Sequence, residues 1–359
     1  MKAAVLRKYG SPISIEEVQL DPPRPGEVLV RLAASGVCRS DLHNARGVHE
    51  VPLPIVLGHE GAGVVEAVGE DVGTVSPGDH VVLTWLPYCG RCRRCISGRP
   101  GLCQEVGWSD QGLMRDGTTR LRDATGKSIY HDTSTTFAEA TIVPAETVIP
   151  VDPALPLVEV ALLGCAVMTG VGAVLNTGGV RTGESVVVIG CGGVGLSAIQ
   201  GAVVVGASPI VAIDVVAEKL ELAKQLGATH AATDEDGLRE VLPAGADHVF
   251  ECLGARSTIE LALRVTGPGG QTVLVGLSSP DTRVPLDPLT MVIEERRVLG
   301  SYYGSCVPPR DIPMLLELMR AGKLQLAPLI SSTIHLEEIN EAFERMERGQ
   351  GARSVIVFN

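Results

Sequence analysis

Apolar residues in the first part of the chain come in short runs separated by turn residues. Ile13 to Val18 and Glu27 to Leu32 alternate between apolar and polar positions, and Gly61 to Val68 is small and apolar. Pro25-Gly26 and Pro77-Gly78 mark tight turns. From Lys2 to about Val82 this pattern predicts an all-β barrel or sandwich. Between Gly107 and Thr141 the composition turns polar, through Asp116-Gly117-Thr118-Thr119-Arg120 and Ser134-Thr135-Thr136-Phe137, and predicts a long excursion with two turns and a short hairpin. After Pro150-Val151-Asp152-Pro153 the pattern changes to α/β. Val186-Val187-Val188-Ile189 is a continuous apolar run, as expected of a strand covered on both faces. The apolar stretch Val194 to Val216 is broken by Gln200, Gly206, Pro209 and Asp214, so it reads as a buried helix and a buried strand rather than a membrane span. Further strands are predicted at His248 to Cys252 and Thr272 to Val275. An amphipathic helix near Ile312 to Met319 and a strand at Ser354 to Phe358 return to complete the first domain.

Composition narrows the class. A chain of 359 residues, 45% hydrophobic, is long enough for two domains at about 100–200 residues each. The formal net charge of -12 argues against nucleic-acid or anionic-membrane partners and favours a small-molecule substrate. Lys2, Arg7 and Lys8 interrupt the N-terminus before an apolar signal region can form, which predicts a cytoplasmic protein. Four of the nine cysteines crowd between Cys89 and Cys103, and in a reducing compartment that clustering favours metal over disulfides.

The densest site chemistry lies in Val37-Cys38-Arg39-Ser40-Asp41-Leu42-His43, followed by Gly58-His59-Glu60 and Leu163-Gly164-Cys165-Ala166. Cys38, His59 and Cys165 form a two-sulfur, one-imidazole set that leaves a fourth position for water or substrate, a ligand set of catalytic zinc. Sulfur ligands exclude magnesium and calcium. Cys89, Cys92, Cys95 and Cys103, with gaps of two, two and seven residues, suit a closed structural zinc site. An iron–sulfur cluster is the competing reading of that spacing, and the absence of a proline after the fourth cysteine weighs against it. Gly190-Cys191-Gly192-Gly193-Val194-Gly195 follows a strand and opens a helix, the context in which glycines admit a pyrophosphate to a helix N-terminus. Asp214, ending the next strand, would accept from both ribose hydroxyls and repel a 2′-phosphate, which predicts NAD over NADP. Lys219 lies one turn into the following helix, within reach of the same ribose, with a solvated lysine as the competing reading. Cys191, Cys252 and Cys306 read as small hydrophobes, and His131, His230 and His335 fit no motif.

These motifs together resemble the zinc-containing, medium-chain alcohol dehydrogenases over nearly the full length. The resemblance implies a GroES-like catalytic domain over 1–166 carrying the structural zinc lobe, a Rossmann domain with a doubly wound parallel sheet over 167–302, and a return segment over 303–359. It implies two zinc ions per chain and NAD, a homodimer or homotetramer, and hydride transfer between an alcohol, primary or aromatic, and NAD. Asp41 would hold the far nitrogen of His59, Glu60 would influence ligand exchange, and Arg39 and Arg353 would contact the pyrophosphate. Trp85, His49 and Tyr302 would shape the substrate pocket, with Val275 behind the nicotinamide. A proton would pass from the alcohol to Ser40, through a ribose hydroxyl, to His43 and out to solvent. Cys165 stands where sorbitol-type relatives carry a carboxylate, which counts against a polyol. The polar excursion is similar to one in the longer members, so a thiol-adduct formaldehyde dehydrogenase and a nicotinoprotein that retains its NAD stand as alternatives.

Overall fold

The computed structural model describes residues 1–358, which divide into two compact units. The first comprises residues 1–165, 307–313 and 330–358, and the second residues 166–306 and 314–329.

In the first unit the predicted β-rich region forms two sheets, one of six and one of seven strands. The long strand Glu27–Val37 is the centre of the seven-stranded sheet. It pairs antiparallel with Glu60–Val68, placing Gly36 opposite Glu60, and with the returning strand Arg353–Val357, placing Ser354 opposite Val37. The C-terminal strand thus adds to the sheet of the first unit. Gly36 is required here, because a Cβ would stand 2.1 Å from the Glu60 carboxylate. The excursion is no loose loop. Its hairpin, Leu121–Arg122 with Ser128–His131, joins the six-stranded sheet through Ile55–Val56. Leu6, Ile55, Leu57, Ile129 and Phe137 pack beneath that sheet, each at most 1% exposed.

The second unit is a six-stranded, all-parallel sheet. Its strands lie in the order His230–Ala232, Ile210–Ile213, Val186–Ile189, Ala246–Glu251, Thr266–Leu274, Arg297–Gly300. Counted within the unit this is the doubly wound order 3-2-1-4-5-6, whose switch point falls beside the strand that leads into the glycine turn. The unit extends beyond the expected boundary at 302, to Cys306, and takes in residues 314–329 of the expected return segment. The reason is a side chain on the glycine-turn helix. Gln200, 3% exposed, donates from Nε2 to the Gln325 carbonyl at 3.0 Å and accepts from the Gln325 N–H at 2.7 Å. Leu324 and Leu326 are buried on either side. Among the described residues no single helix is long and apolar enough to cross a membrane.

Candidate metal and cofactor sites

The first unit brings Cys38, His59, Glu60 and Cys165 together, with one ligand atom of each within 4.8 Å of the others and all four residues buried. Three backbone features deliver them. Cys38 follows the strand Glu27–Val37 and caps the helix Arg39–Arg46, His59 and Glu60 stand at the start of Glu60–Val68, and Cys165 ends the short helix Ala161–Gly164. Asp41 serves two groups at once: Oδ2 accepts from the Cys38 N–H at 2.9 Å, and Oδ1 lies 3.0 Å from His59 Nδ1. The other ring nitrogen, Nε2, lies 3.2 Å from Ser40 Oγ on the same helix. Asp41 thus stands where it can orient the His59 ring.

The electrostatics favour a cation. The Cys165 thiol and Arg353 hold the Cys38 thiol well below the ordinary cysteine range against the effect of burial, while Cys38 and burial push Cys165 up. Burial alone would lower the His59 imidazole, but the neighbouring Asp41 and Cys165 outweigh it and hold the ring well above its usual value. A pocket that retains protons in this way also suits a divalent ion. Burial raises Glu60 to about 7, with Arg353 opposing.

Arg353 was expected at the pyrophosphate. Here it is 6% exposed, with Nη2 3.3 Å from Glu60 Oε1 and Nη1 donating to the Val37 carbonyl at 3.0 Å. The register of Arg353–Val357 on Glu27–Val37 accounts for this, since it sets the arginine beside Cys38. Arg39, on the first turn of its helix, is exposed and free to meet an anion. His43 lies on the same helix, half-buried, its ring edge-on to His49 at 5.7 Å. Burial, His49 and Arg39 lower its pKa. Trp85 stands edge-on to His59 at 6.3 Å.

Sequence reasoning missed two features. Asp132 Oδ2 is 3.9 Å from His59 Nδ1, and nothing in its local sequence pointed there. Arg120, in the polar excursion, is fully buried on Glu27. A polar run next to a turn reads as solvated, so only the tertiary pairing reveals it.

The four-cysteine lobe also closes. Sγ atoms lie 3.5 Å apart for Cys92 and Cys95, 3.8 Å for Cys92 and Cys103, and 3.9 Å for Cys89 and Cys95. A tetrahedron with metal–sulfur bonds of about 2.3 Å has edges of about 3.8 Å. The N–H of Cys92 points at Cys89 Sγ at 3.2 Å, and the Cys95 N–H helps hold the Cys92 thiol at about 6. All nine cysteines are free of disulfides.

In the second unit the turn after Val186–Ile189 has Gly190 at φ +95°, and a Cβ on Gly195 would stand 1.8 Å from the Gly190 carbonyl. Around Gly192, which caps the helix Gly193–Val205, a Cβ would meet nothing, so the approach to the helix N-terminus at Gly193 and Val194 is open. Asp214 is held by two backbone donors, Cys191 N–H to Oδ2 at 2.8 Å and Val216 N–H to Oδ1 at 3.0 Å. Both oxygens keep a lone pair for a diol. Lys219 is half-buried on the following helix, Val275 is buried at the end of Thr266–Leu274, and Tyr302 is 44% exposed.

Residues 24–153 match the alcohol dehydrogenase GroES-like domain and residues 193–321 the zinc-binding dehydrogenase family. The chain is 41% identical over 366 residues to an NDMA-dependent alcohol dehydrogenase of Amycolatopsis methanolica, covering 99% of this chain and 98% of that one. It is 39% identical over 366 residues to an S-(hydroxymethyl)glutathione dehydrogenase of Synechocystis, covering 99% of each. The crystal structure of benzyl alcohol dehydrogenase from Acinetobacter calcoaceticus superposes with a TM-score of 0.94 at 32% identity, covering 100% of this chain and 99% of that one. The chain belongs to the zinc-containing alcohol dehydrogenases, enzymes that use zinc and a nicotinamide cofactor, and its two units are the GroES-like and Rossmann domains of that family.

Proposed function

We propose that the protein oxidises primary or aromatic alcohols with NAD, using a catalytic zinc held by Cys38, His59 and Cys165 and a structural zinc held by Cys89, Cys92, Cys95 and Cys103. The observation that carries this reading is the convergence of two thiols and an imidazole within 4.8 Å, beside a serine hydroxyl 3.2 Å from His59 Nε2. Soft donors of this kind fit zinc, and three of them leave a position for substrate. When bound, zinc supplies Lewis acidity to an alcohol oxygen and the nicotinamide accepts the hydride. Before hydride transfer, Ser40 Oγ would accept the alcohol proton as it passes its own through a nicotinamide ribose hydroxyl to His43, on the same helix, which releases a proton to solvent. Asp41 keeps His59 in one tautomer and orientation. In the second unit Gly190, Gly192, Gly193, Val194 and Gly195 form the pyrophosphate turn and Asp214 the ribose acceptor, which favours NAD. Arg39 adds a cation for the pyrophosphate. The edge of the Trp85 ring beside His59 supports an aromatic substrate.

A screen of primary, secondary, aromatic and thiol-adduct alcohols with added NAD, read at the nicotinamide absorbance, tests the reading. Benzyl-type alcohols should turn over fastest. Turnover of formaldehyde only with a low-molecular-weight thiol would replace the substrate class, and turnover only with an external acceptor, with NAD never exchanged, would make the protein a nicotinoprotein, the kind of activity suggested by the name of the Amycolatopsis relative.

Replacing His43 by Ala should slow alcohol oxidation about 100-fold near neutral pH, at the lower end for a proton-transferring group, with partial rescue by small amine buffers. The sign of the pH effect follows from the lowered pKa of His43. The neutral base persists below the ordinary histidine value of about 6.5, so the acid limb of wild-type kcat should lie below that value and disappear in H43A. Unchanged kinetics would remove His43 from proton release.

A second copy of the chain is the partner proposed for the Rossmann edge. The strand Arg297–Gly300 is paired on one side only, and Leu289, Val292 and Ile293 on the preceding helix are 68–75% exposed. An open strand edge beside an apolar patch is a natural pairing surface. Sedimentation should show a dimer or tetramer for the wild type and a monomer for the double variant Val292→Glu, Ile293→Glu; a wild-type monomer would refute the interface.

A further inference from the structure

His59 has two ring nitrogens with different tasks. Nε2 faces the thiols and Ser40, and Nδ1 has a single proton to give. Two carboxylates stand at that one nitrogen. Asp41 Oδ1, at 3.0 Å, takes the hydrogen bond, and Asp132 Oδ2 lies 3.9 Å away. Asp132 Oδ2 is buried and no donor among the described residues reaches it. The rest of Asp132 is fully engaged in its turn: Oδ1 accepts from the Thr133 N–H at 2.9 Å, its own N–H donates to the Val56 carbonyl at 3.1 Å, and its carbonyl accepts from Thr135 Oγ1 at 2.8 Å. An asparagine would make that turn equally well, because only one side-chain oxygen is used. The turn therefore accounts for Oδ1 and leaves unexplained why a second, charged oxygen is buried beside an imidazole, a placement that is costly unless its field acts on something.

We propose that Asp132 is a positioning residue for the catalytic metal, acting through His59. Its carboxylate adds a second negative charge behind the ring, increases the electron density available at Nε2 and tightens the hold of His59 on the ion that Cys38 and Cys165 share. Carboxylates behind metal-bound histidines are known to raise ligand basicity and metal affinity; the particular feature of this chain is a second one, brought in by the polar excursion. The inference rests on the zinc reading above.

The test uses the full-length zinc-loaded protein and the variant Asp132→Asn, which keeps the turn acceptor and removes the charge. Zinc loss to excess chelator is followed over time, with Asp41→Asn as the yardstick and the four-cysteine zinc as an internal reference. Asp132→Asn should release the catalytic zinc about 10-fold faster, at the lower end of the effect of such partners, with the slower four-cysteine zinc and the melting temperature unchanged. Replacing the catalytic zinc by cobalt should give ligand-field bands shifted from wild type in Asp132→Asn, and Asp132→Glu should restore part of the retention. Release rates and cobalt spectra identical to wild type, while Asp41→Asn loses zinc readily, would overturn the role of Asp132. A Cys38→Ser chain that still holds both metals would instead overturn the zinc reading itself, whatever the release rates at Asp132.

Discussion

A Cys38→Ser chain is expected to hold one zinc ion where the wild type holds two and to lose roughly four decades of kcat/KM for alcohol oxidation. The size follows from the task given to the metal. Polarising an alcohol oxygen contributes several kcal/mol, and at about 1.4 kcal/mol per decade a loss of about 5 kcal/mol removes nearly all turnover. The seryl oxygen is a harder, weaker ligand than a thiolate, and Asp41 cannot replace it, being committed to the Cys38 N–H and His59. The Rossmann unit contains none of these ligands, so NAD binding should persist in the variant and separate loss of chemistry from loss of fold. Cys92→Ser should behave oppositely, losing the other zinc together with thermal stability. Metal analysis, NAD titration and steady-state kinetics check all three statements, and a Cys38→Ser enzyme with full zinc and wild-type turnover would refute the assignment.

Legibility in the sequence tracked how local each signal was. The cysteine lobe could be read because its four ligands fall within fifteen positions, Cys89 to Cys103, and a loop that short has few ways to present four sulfurs. The glycine turn was equally local, and the strand Val186–Ile189 and the helix Gly193–Val205 stand where the apolar pattern put them. Cys38, His59 and Cys165 are far apart in the chain and could be grouped only because soft ligands are scarce and the resemblance joined them. For Arg353, residue type and resemblance suggest an anion contact, and the pairing of Ser354 with Val37 sets its guanidinium beside Glu60 and the Val37 carbonyl. Such registers depend on long-range hydrogen bonding that no local pattern encodes. Residues 314–329 illustrate the same point, since the helix was foreseen but the unit it joins is set by Gln200 reaching Gln325.

The excursion holds the second large prediction. Replacing Arg120 by Met should destabilise the first unit by about 3–5 kcal/mol, the usual cost of stranding one member of a buried ion pair, and lower its melting temperature by about 10 °C. Arg120 is fully buried, with Nε 2.9 Å and Nη2 2.5 Å from the two oxygens of Glu27. Its Nη2 also meets Asp116 at 3.0 Å and its Nη1 meets Thr118 Oγ1 at 2.6 Å. Glu27 opens the strand Glu27–Val37, which Cys38 directly follows, so the pair fastens the excursion, and with it Asp132, to the strand that leads into a metal ligand. Without the guanidinium, Glu27 remains buried with, among the described residues, the Arg24 N–H at 2.9 Å as the one donor left to its side chain. The double variant Glu27→Leu, Arg120→Met should recover most of the loss, because two apolar side chains leave no bare charge. Acid should expose the same cluster. The Arg120 N–H donates to His131 Nε2 at 2.8 Å, and burial, reinforced by the Arg120 charge, lowers the His131 pKa to about 3. Between about 3 and the unfolded value of about 6.5 the unfolded chain binds a proton that the folded one does not, so stability is full above that window and falls as pH decreases through it. Thermal unfolding of wild type and His131→Gln from pH 7 to pH 4 measures this term. The wild type should lose stability more steeply than the variant, and parallel curves would show that His131 is not the group acid acts on.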